Sequence, residues 1–220
     1  MLLAAGRGER MRPLTDAMPK PLLQAGDRPL LEYHIRALVA AGITELVVNV
    51  AWQRQAIYDY LGDGSRFGAT LTISDEGDTA LDTGGGVYRA LAHLGDEPFW
   101  LVNGDVFIDY DFVPPVLASG ADAHLLLVPN PPHNPGGDFA LNGTQVANSG
   151  DEMLTYSGVA VLDPALFSGC SDGVFPLAPL LRGAADRGRL SGELHRGYWC
   201  DVGTPDRLQE LDERLRARSD

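Results

Sequence analysis

Short, almost purely apolar runs alternate along this chain with stretches whose apolar residues recur at helical spacing. Leu2 to Ala5, Leu46-Val47-Val48-Asn49-Val50 and Phe99-Trp100-Leu101-Val102-Asn103 carry little or no polar alternation, the mark of strands covered on both faces. Between them the spacing predicts helices from about Pro29 to Ala41, Gln53 to Leu61 and Gly86 to Leu94, with a further strand at Ala69 to Ser74. This β-α-β-α rhythm predicts an α/β chain with a Rossmann-like mixed, mostly parallel central sheet flanked by helices.

After residue 120 the texture changes. Ala123 to Val128 and Tyr156 to Leu162 read as strands, and Asn142-Gly143 reads as the hairpin turn between Phe139-Ala140-Leu141 and Gln145-Val146. A helix near Pro176 to Arg187, a strand-like Gly197 to Val202 and a charged helix with Thr204 as N-cap and Pro205 in its first turn close the chain. Pro129 to Gly137 is a loop and not an interdomain linker, because neither side alone makes a complete sheet. The expectation is one domain over 1–220: a nucleotide-binding half to about 120, a second half over about 121–203, and a terminal helix over 204–220. No internal repeat or low-complexity tract is present.

A chain of 220 residues, 45% hydrophobic, can bury a sizeable core. Its net charge of -13 argues against nonspecific nucleic-acid or anionic-membrane binding, since either needs a broad basic face. Cys170 and Cys200 lie far apart without metal-ligand spacing and read as reduced residues. The apolar start, Met1 to Ala5, is too short for a signal-peptide core and lacks a basic leader. These features predict a cytoplasmic protein with no membrane span.

Against this acidic background residues 1–28 are basic: Arg7, Arg10, Arg12, Lys20 and Arg28 face only Glu9, Asp16 and Asp27. Lys20 is the sole lysine, every other cation of the chain being arginine. A positive island built on small residues suits a bound polyphosphate. Gly6-Arg7-Gly8-Glu9-Arg10 directly follows the first strand, at the strand end where open α/β sheets bind ligands. Neither standard phosphate loop is present. A dinucleotide fingerprint needs a third glycine where Met11 stands, and a Walker A loop needs Gly-Lys-Ser/Thr. Glycines here let backbone N–H groups approach phosphates while Arg10 grips oxygens as a fork. A tight turn with solvated arginines is the plainer alternative.

Leu3-Ala4-Ala5-Gly6-Arg7-Gly8-Glu9-Arg10-Met11-Arg12-Pro13-Leu14-Thr15, followed by Pro19-Lys20-Pro21-Leu22, resembles the signature of the sugar-1-phosphate nucleotidyltransferases, whose fold is of the nucleotide-diphospho-sugar transferase type. The resemblance implies nucleotide contacts at Leu3, Ala4, Ala5, Gly6, Gly8, Glu9, Arg10 and Lys20, with Lys20 nearest the α-phosphate. Arg10, Lys20 and Asp105 are the implied catalytic groups. Asn103-Gly104-Asp105 follows the most apolar strand, and Asp201 ends the run Tyr198-Trp199-Cys200-Asp201. Strand-end aspartates are often turn residues, but both lie within patterns of the same family, which implies that Asp105 and Asp201 hold Mg2+. Asp109 and Asp111 read as a solvated acidic loop.

Asp82-Thr83-Gly84-Gly85-Gly86 opens a helix, and the resemblance implies main-chain contacts to the nucleotide at Gly85. Sugar contacts are expected at Asn103, Gly137, Asp138 and Tyr156, each of which could equally serve turn chemistry. One departure stands out: a Glu-Lys-Pro segment common in the family, whose lysine contacts the sugar phosphate, is missing. The compact length, together with Val50-Ala51-Trp52 and the segments at 62–68, 82–86, 102–106 and 137–139, resembles the uridylyltransferase branch that acts on N-acetylmuramic acid 1-phosphate. The implied partners are UTP, or another nucleoside triphosphate, and a sugar 1-phosphate. Mannose-1-phosphate guanylyl and glucose-1-phosphate thymidylyl or uridylyl transfer are alternatives, because backbone contacts disclose little about the base. A catalytically silent sensing subunit is an alternative of another class, though it should lack one of Arg10, Lys20, Asp105 or Asp201.

Overall fold

A computed structural model describes residues 1–218. In chain order its elements are β1 (Leu2–Leu3), α1 (Leu14–Ala17), β2 (Gln24–Ala25), β3 (Arg28–Pro29), α2 (Leu30–Ala40), β4 (Glu45–Val50), α3 (Arg54–Leu61), β5 (Thr70–Asp75) and α4 (Asp82–Leu94). There follow β6 (Phe99–Asn103), β7 (Val106–Ile108), β8 (Ala123–Val128), β9 (Phe139–Asn142), β10 (Gln145–Ala147), β11 (Met153–Leu162), α5 (Ala178–Asp186), β12 (Leu190–Leu194), β13 (Trp199–Asp201) and α6 (Pro205–Arg216).

Nine strands form one sheet in the order β5-β4-β1-β6-β11-β8-β12-β10-β9. The first four run parallel, and β11 enters antiparallel beside β6. The expected α/β architecture with a mixed sheet is therefore present, its parallel part concentrated in the first half of the chain. Alternation along the buried strands divides the core: Val48, Val50, Trp100 and Val102 face α2 and α3 through Leu31, Ile35, Leu38 and Ile57. Val47, Phe99 and Leu101 face the opposite way, toward Val87 of α4 and Leu181 of α5. A third cluster joins Met11, Leu23, Phe107 and Val202 to Leu211 of α6.

The second half differs from expectation in detail. Asn142 pairs with Gln145, so the hairpin turn is Gly143-Thr144, with Gly143 supplying the positive φ of 61°. The predicted strand at Gly197 to Val202 is three residues long and pairs with β7 in a separate two-stranded ladder. Four strands were not expected: the short antiparallel pair β2–β3, β7, and β12, which inserts parallel beside β8. In β12 a Cβ at Gly192 would stand 2.8 Å from the Leu125 carbonyl oxygen, so a glycine that reads as a turn signal is demanded by close strand packing.

Helix α4 starts earlier than expected and takes in the whole Gly84-Gly85-Gly86 run. Segment 173–177 docks on it, with Gly85 N–H donating to the Phe175 carbonyl at 3.0 Å and Leu177 N–H donating to Thr83 Oγ1 at 3.0 Å. A Cβ at Gly84 would lie 2.6 Å from the Phe175 ring, and one at Gly85 would collide with the Gly173 carbonyl oxygen. Gly85→Ala is predicted to lower stability by about 1–3 kcal/mol. Urea unfolding checks this: the midpoint should fall at unchanged slope, and an unshifted midpoint contradicts the packing account.

Candidate functional site

Strand register builds the floor of the site. Leu3 pairs with Asn49 on one side and Asn103 on the other, and Asn49 pairs with Ser74. The carboxyl ends of β5, β4, β1 and β6 thus lie in one row, and the loops after them wall a cleft of about 430 Å³. Leu3, Ala5, Gly6, Gly8, Glu9, Arg10, Lys20, Asn103 and Asp105 line it, as do Asn49, Glu76, Asp82, Thr83 and Gly203. Ala4 is buried beneath the surface, its N–H donating to Asn49 Oδ1 at 2.7 Å.

The loop after β1 is anchored at both ends. Thr15 Oγ1 donates to the Gly8 carbonyl at 2.8 Å, Met11 N–H donates to the same oxygen at 2.9 Å, and the Met11 side chain is fully buried. Gly8 has φ 62°, and a Cβ there would stand 2.9 Å from Thr15 Cγ2 and 3.1 Å from Lys20 Cβ, so only glycine lets the loop close onto the lysine. Among the described residues the N–H groups of Gly6, Arg7 and Gly8 have no acceptor in the protein. The Arg10 guanidinium likewise has no ion-pair or hydrogen-bond partner there. Arg7 instead lies over the Trp52 ring, 4.4 Å from its centroid. Successive free N–H groups beside an unpaired guanidinium form a concavity suited to anionic oxygen.

Lys20 is 6% exposed, and its Nζ lies 2.6 Å from Asp105 Oδ2. Asp105 reaches this point because Gly104 permits a tight crossing: Gly104 N–H donates to the Leu3 carbonyl at 2.8 Å, where a Cβ would lie 2.5 Å from that oxygen. The β7–β13 ladder fixes the second aspartate, pairing Asp201 with Val106, while Val202 N–H donates to the Asp105 carbonyl at 2.9 Å. Asp201 Oδ2 is held by Arg207 Nη1 at 2.7 Å and lies 3.0 Å from His133 Nε2. Each aspartate keeps an Oδ1 without a partner among the described residues. Two carboxylates with free oxygens, on adjoining backbone, are a donor set compatible with a hard divalent cation completed by phosphate and water. No cluster of three or more His, Cys, Asp or Glu is present among the described residues.

Glu76 and Asn49 had no place in the sequence reading. Glu76 Oε1 accepts from Asn49 Nδ2 at 2.5 Å and Oε2 accepts from Leu81 N–H at 2.7 Å. Burial pushes this carboxyl above its usual range. The signal was one polar residue inside an apolar strand, Val48-Asn49-Val50. Asp82, another cleft residue, carries a positive φ of 61°, a conformation that aspartate tolerates better than bulkier side chains.

Several expected residues lie elsewhere. Gly85 is absent from the lining and its N–H is spent on Phe175. Asp138 Oδ2 accepts from Tyr156 N–H at 2.8 Å and Asn134 Nδ2 at 3.2 Å, tying the 129–137 loop to β11. The Tyr156 hydroxyl is buried without a partner, and a Cβ at Gly137 would stand 2.9 Å from the Leu154 nitrogen. Gly137, Asp138 and Tyr156 line neither this cleft nor a second cavity of about 380 Å³. That cavity is bounded by Pro131, His133, Tyr198, Trp199, Asp201 and Arg207 among others. Asp109 is engaged as well, 3.0 Å from His195 Nε2. Both cysteines are free, and no helix among the described residues is long and apolar enough to cross a membrane.

The profile of the Nucleotidyl transferase family matches residues 1–135. A Neisseria meningitidis serogroup B protein named N-acetylmuramate alpha-1-phosphate uridylyltransferase is 48% identical over 219 residues, 96% of this chain and 95% of its own length. A Caulobacter vibrioides protein of the same name is 32% identical, with 98% of this chain and 96% of its own length covered. In three dimensions the chain superposes with a TM-score of 0.85 on a Bacillus anthracis protein assigned as a glucose-1-phosphate thymidylyltransferase. The match covers 98% and 94% of the two chains at 21% identity.

His34 is buried, and its Nε2 donates to the carbonyl of Val106, the residue after Asp105, at 2.7 Å. Burial lowers its pKa from 6.5 to about 4. Below pH 6.5 the unfolded chain therefore binds a proton that the folded chain refuses, so this contribution to stability is intact above that pH and lost as pH falls toward 4. A shift of this size amounts to about 3 kcal/mol. Urea unfolding of His34→Gln should lack this pH dependence between 6.5 and 4; profiles parallel to wild type would contradict it.

Proposed function

The chain belongs to the Nucleotidyl transferase family, and on that premise we propose that it transfers UMP from UTP to N-acetylmuramic acid 1-phosphate. The products are UDP-N-acetylmuramic acid and pyrophosphate. The observation that carries this reading is the run of free N–H groups at Gly6, Arg7 and Gly8 beside unpaired Arg10, on the same cleft as the Lys20–Asp105 contact. Near-complete coverage of the two uridylyltransferases supports the choice of base and sugar.

In the proposed reaction a phosphate oxygen of the sugar 1-phosphate attacks the α-phosphorus of UTP in line with departing pyrophosphate, forming one P–O bond as another breaks. The Gly6–Gly8 N–H groups and Arg10 hold the β- and γ-phosphates. Lys20, pointed at the strand end by its contact with Asp105, neutralises charge growing on the leaving oxygen. No general base of high strength is required, since the attacking oxygen is already anionic; alignment supplies much of the rate. Asp105 and Asp201 would hold a divalent cation, magnesium by their oxygen-only character, which when bound offsets phosphate charge. Asn49, Glu76, Asp82 and Thr83 face the remaining wall, toward nucleoside. The chain acts as one domain, in the cytoplasm where UTP is available.

A pyrophosphate-release screen crossing UTP, GTP, dTTP, ATP and CTP with several sugar 1-phosphates, with and without magnesium, tests this. UTP with N-acetylmuramic acid 1-phosphate should turn over fastest and only with the metal; no turnover with any pair would sink the enzyme reading. In the active pair, Lys20→Ala and Asp105→Asn should each slow turnover by about a hundredfold or more with the fold retained. Near-normal rates remove the residue concerned from the mechanism.

A further inference from the structure

We infer that Arg207 is the residue that holds the phosphate of the acceptor, the sugar 1-phosphate, and that the second cavity receives the acceptor's sugar; this rests on the reaction proposed above. The only lysine is committed to Asp105, so a second phosphomonoester brought beside the nucleotide has to find its counter-charge in arginine. The two cavities meet at residues 201–203, with Gly203 lining the first and Asp201 and Arg207 lining the second. A sugar joined to the nucleotide's α-phosphate can reach the second cavity across that boundary.

Arg207 is built for the crossing. It lies in the first turn of α6, three residues after the N-cap Thr204, and its Nη1 donates to Asp201 Oδ2 at 2.7 Å and to the Asp201 carbonyl at 3.0 Å, with His133 Nε2 3.2 Å away. These contacts fix the guanidinium plane. Nη2 has no hydrogen-bond partner among the described residues. It stands 3.0 Å from the point a Gly203 Cβ would occupy; Arg10 Nη2 stands 3.2 Å from the same point, and Asp201 Oδ1, the oxygen left for the cation, 2.9 Å from it. Two guanidinium donors from opposite ends of the chain thus converge over a glycine, one facing each cavity. An anion shared between nucleotide and acceptor can bridge them, and a planar fork offers this directional donor where a lysine would offer only a point charge. Beyond Arg207, the walls formed by Trp199, Tyr198 and Pro131, with His133 as a polar group, present the flat apolar and polar mixture that a sugar ring fits.

Steady-state kinetics on Arg207→Gln and Arg207→Lys, with each substrate varied against saturating partner, separates this role from a structural one. Arg207→Gln should raise KM for N-acetylmuramic acid 1-phosphate at least about tenfold, on the scale of a lost charged hydrogen bond, while KM for UTP stays within about twofold. Arg207→Lys, which keeps the charge and the fold contact, should recover only part of the loss. Turnover by wild type with an unmoved acceptor KM in both variants, or with both KM values rising together, overturns the assignment and leaves the reaction standing. Failure of wild type to use any sugar 1-phosphate overturns the reaction and the assignment with it.

Discussion

Everything at the site hangs on the alignment of four parallel strand ends. Strand β1 is two residues long and central, so its backbone must satisfy neighbours on both sides at once, pairing Leu3 with Asn49 and Asn103. Where its ladder stops, the Asn49 side chain continues it by accepting from Ala4 N–H and passing its own donor to Glu76. Glu76 in turn accepts from Leu81 N–H, just ahead of α4. A buried carboxylate is costly unless donors surround it. Here the two donors come from the segments that must be held level, so the cost of burial is offset by order in the cleft floor.

The opposite wall depends on a different force. Loop 6–12 and the β7–β13 ladder carry Arg10, Asp105 and Asp201, yet neither belongs to the main sheet. Apolar burial of Met11, Phe107, Val202 and Leu211 in one cluster fixes them to α6, and Gly26 N–H donates to Asp212 Oδ1 at 2.7 Å from the same helix. The cleft is therefore polar-bonded on its floor and hydrophobically clamped on its rim. Leu211 of α6 thus shares one apolar cluster with Met11 and Val202, the neighbours in sequence of Arg10 and Asp201.

Much of the architecture was legible because continuous apolar runs and well-spaced helices carry strong signals: β4, β6 and β8 lie almost where the apolar runs place them. Strands β2, β3 and β7 escaped because two or three residues carry too little pattern, and β12 because Gly192 reads as a break when it is a packing requirement. At the site, the glycine and arginine loop was legible through its rigid spacing. Asn49 and Glu76 were not, since the one polar residue inside an apolar strand says nothing of the partner that it meets beyond the end of β5. Asp138 and Tyr156 misled for the opposite reason: their residue types suit sugar hydroxyls, but backbone N–H groups and core packing claim them first. The Gly84-Gly85-Gly86 run was read as a close approach to a ligand, whereas the neighbour approached is the chain's own segment 173–177.

The clamp by α6 also bears on the order in which the molecule can assemble. Gly26 and Asp212 are 186 residues apart in sequence, and Lys20 and Asp105 are 85 apart, whereas β4 and β5 pair within one short crossover. Contacts of great sequence separation carry the largest loop-closure cost and form once nearer ones have compacted the chain. The parallel sheet itself closes about 100 residues between Leu2 and Val102, so among these contacts the one made by α6 spans the longest stretch of chain. The rim that carries Arg10 and Asp201 is thus held by the entropically costliest closure of the three.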